Sequence, residues 1–159
     1  MSDAKLVLAT DNPSKAACIA IRKTVFVEEQ GYSHLDEDNQ PEDADALHFL
    51  LTADDDSVPQ DKFMGTARLL VRTENTYVIS RFALLPQFRG NGNGGKFIQA
   101  LEQWVIQRND FQFVKLEAQE GSYGFYEKLG YTSQGAEYIK DKRPHLLMMK
   151  DLRTSQYKE

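Results

Sequence analysis

Four glycines, Gly90, Gly92, Gly94 and Gly95, fall within six residues between an apolar extended run and an amphipathic helical one. Few sequence features restrict a fold more. The run before them, Ile79-Ser80-Arg81-Phe82-Ala83-Leu84-Leu85, has the composition of a strand, and Pro86 stops it. After them Phe97, Ile98, Leu101, Trp104, Val105 and Arg108 recur at helical spacing, which places Trp104 in a core rather than on a ligand platform. A strand, a turn that admits positive φ and a helix start therefore follow directly on one another. The first turn of a helix carries N–H groups without partners and a partial positive charge. The junction is expected to hold an anion, and a phosphate suits it best.

Three phosphate-binding patterns fit the turn in part. Gly90-x-x-x-x-Gly95-Lys96 matches the P-loop, except that Phe97 stands where a Ser or Thr hydroxyl should hold magnesium. Gly90-x-Gly92-x-x-Gly95 matches the dinucleotide fingerprint, with Glu117 or Glu120 at a tolerable distance for a ribose contact. That fingerprint places glycine directly after the first strand of a repeated βαβ array. Here Pro86-Gln87-Phe88-Arg89 intervenes and extended segments dominate upstream. The third pattern is Arg89-Gly90-x-Gly92-x-Gly94 after a strand and a proline.

At 159 residues the chain is expected to form one domain over residues 1–159, with 153–159 a frayed tail. A chain of this size buries about 70% of its unfolded surface and needs no staple. Cys18 is the single cysteine, and no signal segment or long apolar run is visible, so a cytoplasmic or nuclear compartment is expected. A net charge of -5 argues against nucleic acid or membrane as a partner and suits a cationic substrate better.

Lys5 to Thr10 reads as a first strand, and Asp11-Asn12-Pro13 as a helix start, with Cys18, Ile21 and Val25 on one face of the helix. The acidic stretch from Glu28 to Asp45 reads as an exposed acidic loop or short helix, or as a lid or mouth that attracts a cationic substrate. Segments 46–53, 62–72 and 76–85, separated by turn residues, read as an antiparallel meander. Phe111 to Ala118 reads as a strand parallel to the Ile79 strand, because a helix joins them. A short helix from Ser122 ends at Gly130, and extended segments near 131–133, 136–140 and 145–150 close the chain.

Two further stretches converge with the glycine turn: Leu116-Glu117-Ala118-Gln119, and Phe125-Tyr126-Glu127-Lys128-Leu129-Gly130-Tyr131. In this order and spacing the three resemble the motifs of the GNAT superfamily of acyl-CoA-dependent N-acyltransferases. Arg22 to Gln30, the acidic run from Asp36 to Asp45 before His48, and Pro144-His145 resemble its ElaA-like branch. The resemblance implies an α+β fold with a twisted, mostly antiparallel mixed sheet and helices on both faces. Its fourth and fifth strands, here those of Ile79 and Phe113, would splay apart around acetyl-CoA. One departure stands out: Gln119 occupies the place of an asparagine that many members use to bind the pantetheine arm.

The resemblance also implies roles. Amides of Arg89, Gly90, Asn91, Gly92, Asn93, Gly94 and Gly95 would cradle the coenzyme pyrophosphate without metal, and Arg89 or Lys96 would add charge. The backbone at Phe82, Ala83 and Leu84 would pair with pantetheine, and Gln119 and Phe125 would line the same cleft. Tyr126 is the candidate acid for the departing thiolate. Glu29 is the first choice of general base, with Glu28, His48 and His145 as rivals. Arg22, His48 and His145 are candidate substrate contacts, and no cluster has zinc spacing. The implied activity is acetyl transfer to a primary amine of a small molecule or protein, and a second copy of the chain is a candidate partner. A non-catalytic acyl-CoA sensor is one alternative. An acyl-homoserine-lactone-synthase-like enzyme is the other, since Arg22-x-x-Val25-Phe26 resembles the start of that family.

Overall fold

The computed structural model describes residues 4–32, 46–53, 63–73, 75–108 and 113–154. The acidic run from Asp36 to Asp45 and residues 155–159 of the expected tail lie outside them. After β1 (Ala4–Leu8), the Asp11 carboxylate accepts from the Ser14 amide at 2.8 Å and caps α1 (Asn12–Arg22), with Pro13 in its first turn. The helix continues as a π-helical segment, Lys23–Glu29, which Gly31 leaves at φ +80°.

β2 (Leu47–Ala53), β3 (Gly65–Thr73) and β4 (Thr76–Leu84) form the expected antiparallel meander. α2 (Asn93–Ile106) then leads to β5 (Phe113–Gln119), which pairs parallel to β4. A short α3 (Tyr123–Lys128) precedes β6 (Thr132–Ser133), β7 (Tyr138–Lys140) and β8 (Arg143–Asp151). All eight strands join one sheet in the order β1-β2-β3-β4-β5-β8-β6, with β7 on β8.

Alternation along the strands sorts side chains between two faces. On one face Phe49, Leu51, Leu69, Ile79, Leu116 and Met148 pack with Phe97, Ile98, Leu101 and Val105 of α2. On the other, Leu50 packs with Cys18 and Ile21, and Ala83 with Val25 and Phe26. We call these the α2 face and the α1 face. Trp104 is a core residue as expected, edge-on to Phe49 and Tyr77, with the Arg108 guanidinium over its ring.

One charged group is fully buried in α2. Glu102 accepts from Tyr131 Oη at 2.7 Å and from Lys150 Nζ at 3.0 Å, which ties α2 to β8 and to the end of α3. Removing one partner from such a buried pair typically costs about 3–5 kcal/mol, so this brace fixes the helix whose first turn carries the glycines.

The parallel pairing of β4 with β5 runs only from Thr76↔Phe113 to Ile79↔Leu116. Beyond it β5 stays with β8 as far as Gln119↔His145, and β4 stays with β3 as far as Leu84↔Gly65. The two central strands therefore splay into a wedge.

Candidate active site

The β4 wall of the wedge carries a bulge. Thr66 pairs with Ala83 but Arg68 with Ser80, so Arg81 and Phe82 together oppose Ala67. Arg81 takes φ +49°, a conformation a non-glycine residue adopts only when its surroundings hold it there. The extra residue shifts the alternation. Phe82 and Leu84 meet the α2-face cluster, and Ala83 meets the π segment. The two strands approach closely here, since a Cβ on Gly65 would lie 2.2 Å from the Ala83 carbonyl oxygen. Only glycine fits at that position.

At the wedge mouth, Pro86–Phe88 forms a single 3-10 turn, and the chain enters α2 through Gly90, Asn91 and Gly92 at φ +88°, +55° and +78°. The Asn93 side chain donates to the Phe88 carbonyl at 2.9 Å and braces this loop. The Asn93 amide bonds to Gly90 O and the Lys96 amide to Gly92 O. Among the described residues, the amides of Gly90, Asn91, Gly92, Gly94 and Gly95 find no acceptor. They are the orphan donors of a helix start, extended by a loop. A Cβ built on Gly90 or Gly92 would meet nothing within 4 Å, whereas one on Gly94 would touch the Phe125 ring at 3.1 Å. The loop is thus open on one side and backed by α3 on the other, as a pyrophosphate cradle requires.

The Arg89 side chain does not point into open solvent. Its Nε donates to Leu84 O at 3.0 Å, and its two terminal nitrogens form a fork on Glu29 at 2.6 and 2.7 Å. This clasp joins the end of the π segment to the glycine loop. The hydrogen bonds from Arg89 hold the Glu29 carboxyl below the usual carboxylate range, and Glu29 raises Arg89 in turn. A carboxylate with both oxygens engaged and a lowered pKa is a weak proton acceptor. In this arrangement the Glu29 carboxylate braces the loop against the π segment. Glu28 is exposed on the same segment.

Tyr126 projects from α3 toward the α2 face, its ring edge-on to Phe125 and Tyr131. Burial pushes its hydroxyl up to about 12. Among the described residues that hydroxyl has no hydrogen-bond partner, and it stays protonated at neutral pH. Phe125 is partly exposed beside the first turn of α2.

The α1 face of the wedge is built from scattered segments. Gln119 at the end of β5 donates to Gln30 Oε1 at 3.2 Å and Tyr32 Oη at 3.1 Å, so its amide links β5 to the residues just after the π segment. Arg143 joins the same group, donating to Gln30 O with its guanidinium 4.1 Å from the Tyr32 ring centre. Buried Arg22 lies 3.0 Å from His48 Nδ1 and 3.5 Å from Thr66 Oγ1. Arginine only donates, so His48 Nδ1 is the acceptor there. His145 is buried opposite Gln119, stacked on Tyr138, with Nδ1 2.8 Å from Arg143 O. Glu117 accepts from Tyr138 Oη at 2.5 Å and Lys140 Nζ at 2.6 Å. Burial opposes its ionisation, but these hydrogen bonds outweigh it and leave its pKa lowered, while burial and Glu117 raise Tyr138. Among the described residues no three His, Cys, Asp or Glu side chains gather as a metal site needs.

The structure thus brings Phe82, Ala83, Leu84, Gln119, Phe125, Tyr126 and the 89–96 loop around one wedge, with His145 on the α1 face of the neighbouring strand β8, opposite Gln119. Arg22 and His48 form a separate buried pair at β2. Sequence reading missed Gly65, Gln30, Tyr32 and Arg143. Only Gly65 carried a signal, a glycine inside a strand-like run.

The model of the acetyltransferase (GNAT) family matches residues 15–131. A Bacillus subtilis (strain 168) protein whose name marks it as a provisional acetyltransferase is 37% identical over 132 residues, 82% of this chain and 84% of its own length. Among solved structures, Escherichia coli ElaA has a TM-score of 0.78 at 22% identity, covering 95% of this chain and 100% of that one. An acyl-CoA N-acyltransferase from Pseudomonas aeruginosa has a TM-score of 0.77 at 22% identity, covering 94% and 99%. At that identity the two structures speak for the fold alone. No helix among the described residues is long and apolar enough to cross a membrane. With its family model spanning well over half of the sequence, the chain belongs to the acetyltransferase (GNAT) family.

Proposed function

We propose that the protein transfers an acetyl group from acetyl-CoA directly to a primary amine, in the ElaA-like branch of its family. The observation that carries this reading is the run of acceptor-free amides at Gly90–Gly92, Gly94 and Gly95 at the mouth of the wedge between β4 and β5. Five N–H groups without acceptors beside a helix N-terminus favour a diphosphate over a neutral ligand. The cleft below them would take the pantetheine arm against the β4 backbone at Phe82–Leu84, and an amide of that wall would stabilise the oxyanion that forms on the thioester carbonyl. Tyr126, protonated at neutral pH with its hydroxyl uncommitted, would donate to the thiolate as the carbon–sulfur bond breaks. Lys96, half-buried in the first turn of α2, adds positive charge to the cradle. The single cysteine supports a cytoplasmic setting.

A panel of alkylamines, polyamines, amino acids and lysine peptides, assayed for free thiol released from acetyl-CoA, tests this reading. Amine-dependent thiol release is the expected result. Thiol release that no amine accelerates, or none at all beside tight coenzyme binding, would favour an acyl-CoA sensor instead.

A further inference from the structure

Transfer to an amine needs two proton movements. The nitrogen must lose a proton as the carbon–nitrogen bond forms, and the sulfur must gain one as the carbon–sulfur bond breaks. Attack and departure occur on different sides of the carbonyl carbon, so acid and base belong on different sides of the wedge. Tyr126 lies on the α2 face with Leu116, Ala118 and Met148. The acceptor amine and its base therefore belong on the α1 face.

Among the described residues of that face, four groups besides exposed Glu28 can take a proton, and three are committed. Glu29 has both oxygens on Arg89. Glu117 has its oxygens on Tyr138 and Lys140. His48 spends the Nδ1 lone pair on Arg22. His145 differs. The Arg143 carbonyl beside its Nδ1 can only accept, so Nδ1 carries the hydrogen and the lone pair is left on Nε2. Among the described residues Nε2 has no partner, and it is not sealed from solvent although the ring is buried. The ring is held by stacking on Tyr138 and by the pairing of His145 with Gln119, at the open end of the strand that forms one wall of the wedge. Its charged and titratable neighbours are Glu117 from β5, Tyr138 and Lys140 from β7, and Arg143 from its own strand.

Resting on the transferase reading, we infer that His145 Nε2 is the general base that takes the proton from the acceptor nitrogen. An amine that arrives as its ammonium ion first gives one proton to Nε2 and on to solvent, the free amine gives a second to Nε2 as the carbon–nitrogen bond forms, and the Tyr126 proton goes to sulfur. Amide and free coenzyme result, and both side chains return to their starting state through solvent.

The test compares two nucleophiles. An alkylamine resembles lysine, with a pKa of about 10.4, and arrives protonated, whereas hydroxylamine is largely unprotonated at neutral pH. In His145→Gln, kcat toward the alkylamine best turned over in the panel should fall by about 10²–10⁴-fold, while hydroxylamine should lose less than about tenfold. Acetyl-CoA affinity should be unchanged, which also shows that the variant is folded. Equal losses toward both nucleophiles, or no loss toward either, would overturn the assignment. Should the variant not fold, nitrogen NMR of the wild-type ring decides, with the neutral Nδ1–H tautomer expected and the Nε2–H tautomer contradicting it. A wild-type enzyme inert to every amine overturns the transferase reading itself, a result distinct from either.

Discussion

The two sides of the wedge are built by different means. The glycine-loop side is made almost wholly of backbone atoms from one continuous stretch, with its donors supplied by a loop at positive φ and the first turn of α2. The α1 side is made of side chains from the π segment, β5, β7 and β8, up to 113 positions apart in the sequence. Backbone donors look alike whatever side chains surround them, so they suit a ligand part common to every turnover. Side chains from distant segments change one at a time, which suits the part that sets the acceptor. Under the proposed function the glycine loop would serve the chemistry shared by the family, and the identity of the amine would lie with the other face.

This division can be broken by separating kcat from affinity. Tyr126→Phe keeps the ring contacts with Phe125 and Tyr131 and removes only the hydroxyl. We expect kcat to fall by about 10²–10⁴-fold, with the acetyl-CoA dissociation constant nearly unchanged. A wild-type kcat, measured where chemistry limits the rate, would return Tyr126 to the core. The smaller effect is on the backbone side. Gly92→Val puts a branched side chain where the loop faces open space and should cost one or two charge-assisted hydrogen bonds to the pyrophosphate. That corresponds to about 10–100-fold weaker acetyl-CoA binding, with kcat at saturation largely kept. Because Gly92 sits at φ +78°, Gly92→Asn, which tolerates that conformation, separates blockage from strain. Unchanged affinity in a folded Gly92→Val protein would refute the cradle.

The same contrast explains what the sequence made legible. Asp11 and Pro13 mark the start of α1, the periodicity from Phe97 marks α2, and the glycines mark the loop, because each signal is local and belongs to the backbone it shapes. The π segment carries no such mark: Lys23–Glu29 reads as ordinary helix, and only packing of Val25 and Phe26 on Ala83 reveals where it points. The bulge at Arg81 was equally hidden, because an arginine at positive φ is held by its surroundings and not by its own preference. Glu29 and Arg89 lie 60 residues apart with nothing in the sequence to pair them, yet the fold joins them. Pairing of β5 with β8 sets Gln119 beside His145, and no residue in either strand signals its partner.

The claim on which the account stands is that the loop from Arg89 to Lys96 is a metal-independent coenzyme A site. Calorimetric titration of the purified protein with acetyl-CoA in the presence of chelator, with ATP and NAD as controls, tests it most directly. One site per chain for acetyl-CoA, indifferent to chelator and preferred over both controls, is the predicted result. Tighter binding of ATP or NAD, or binding that appears only with magnesium, would contradict it.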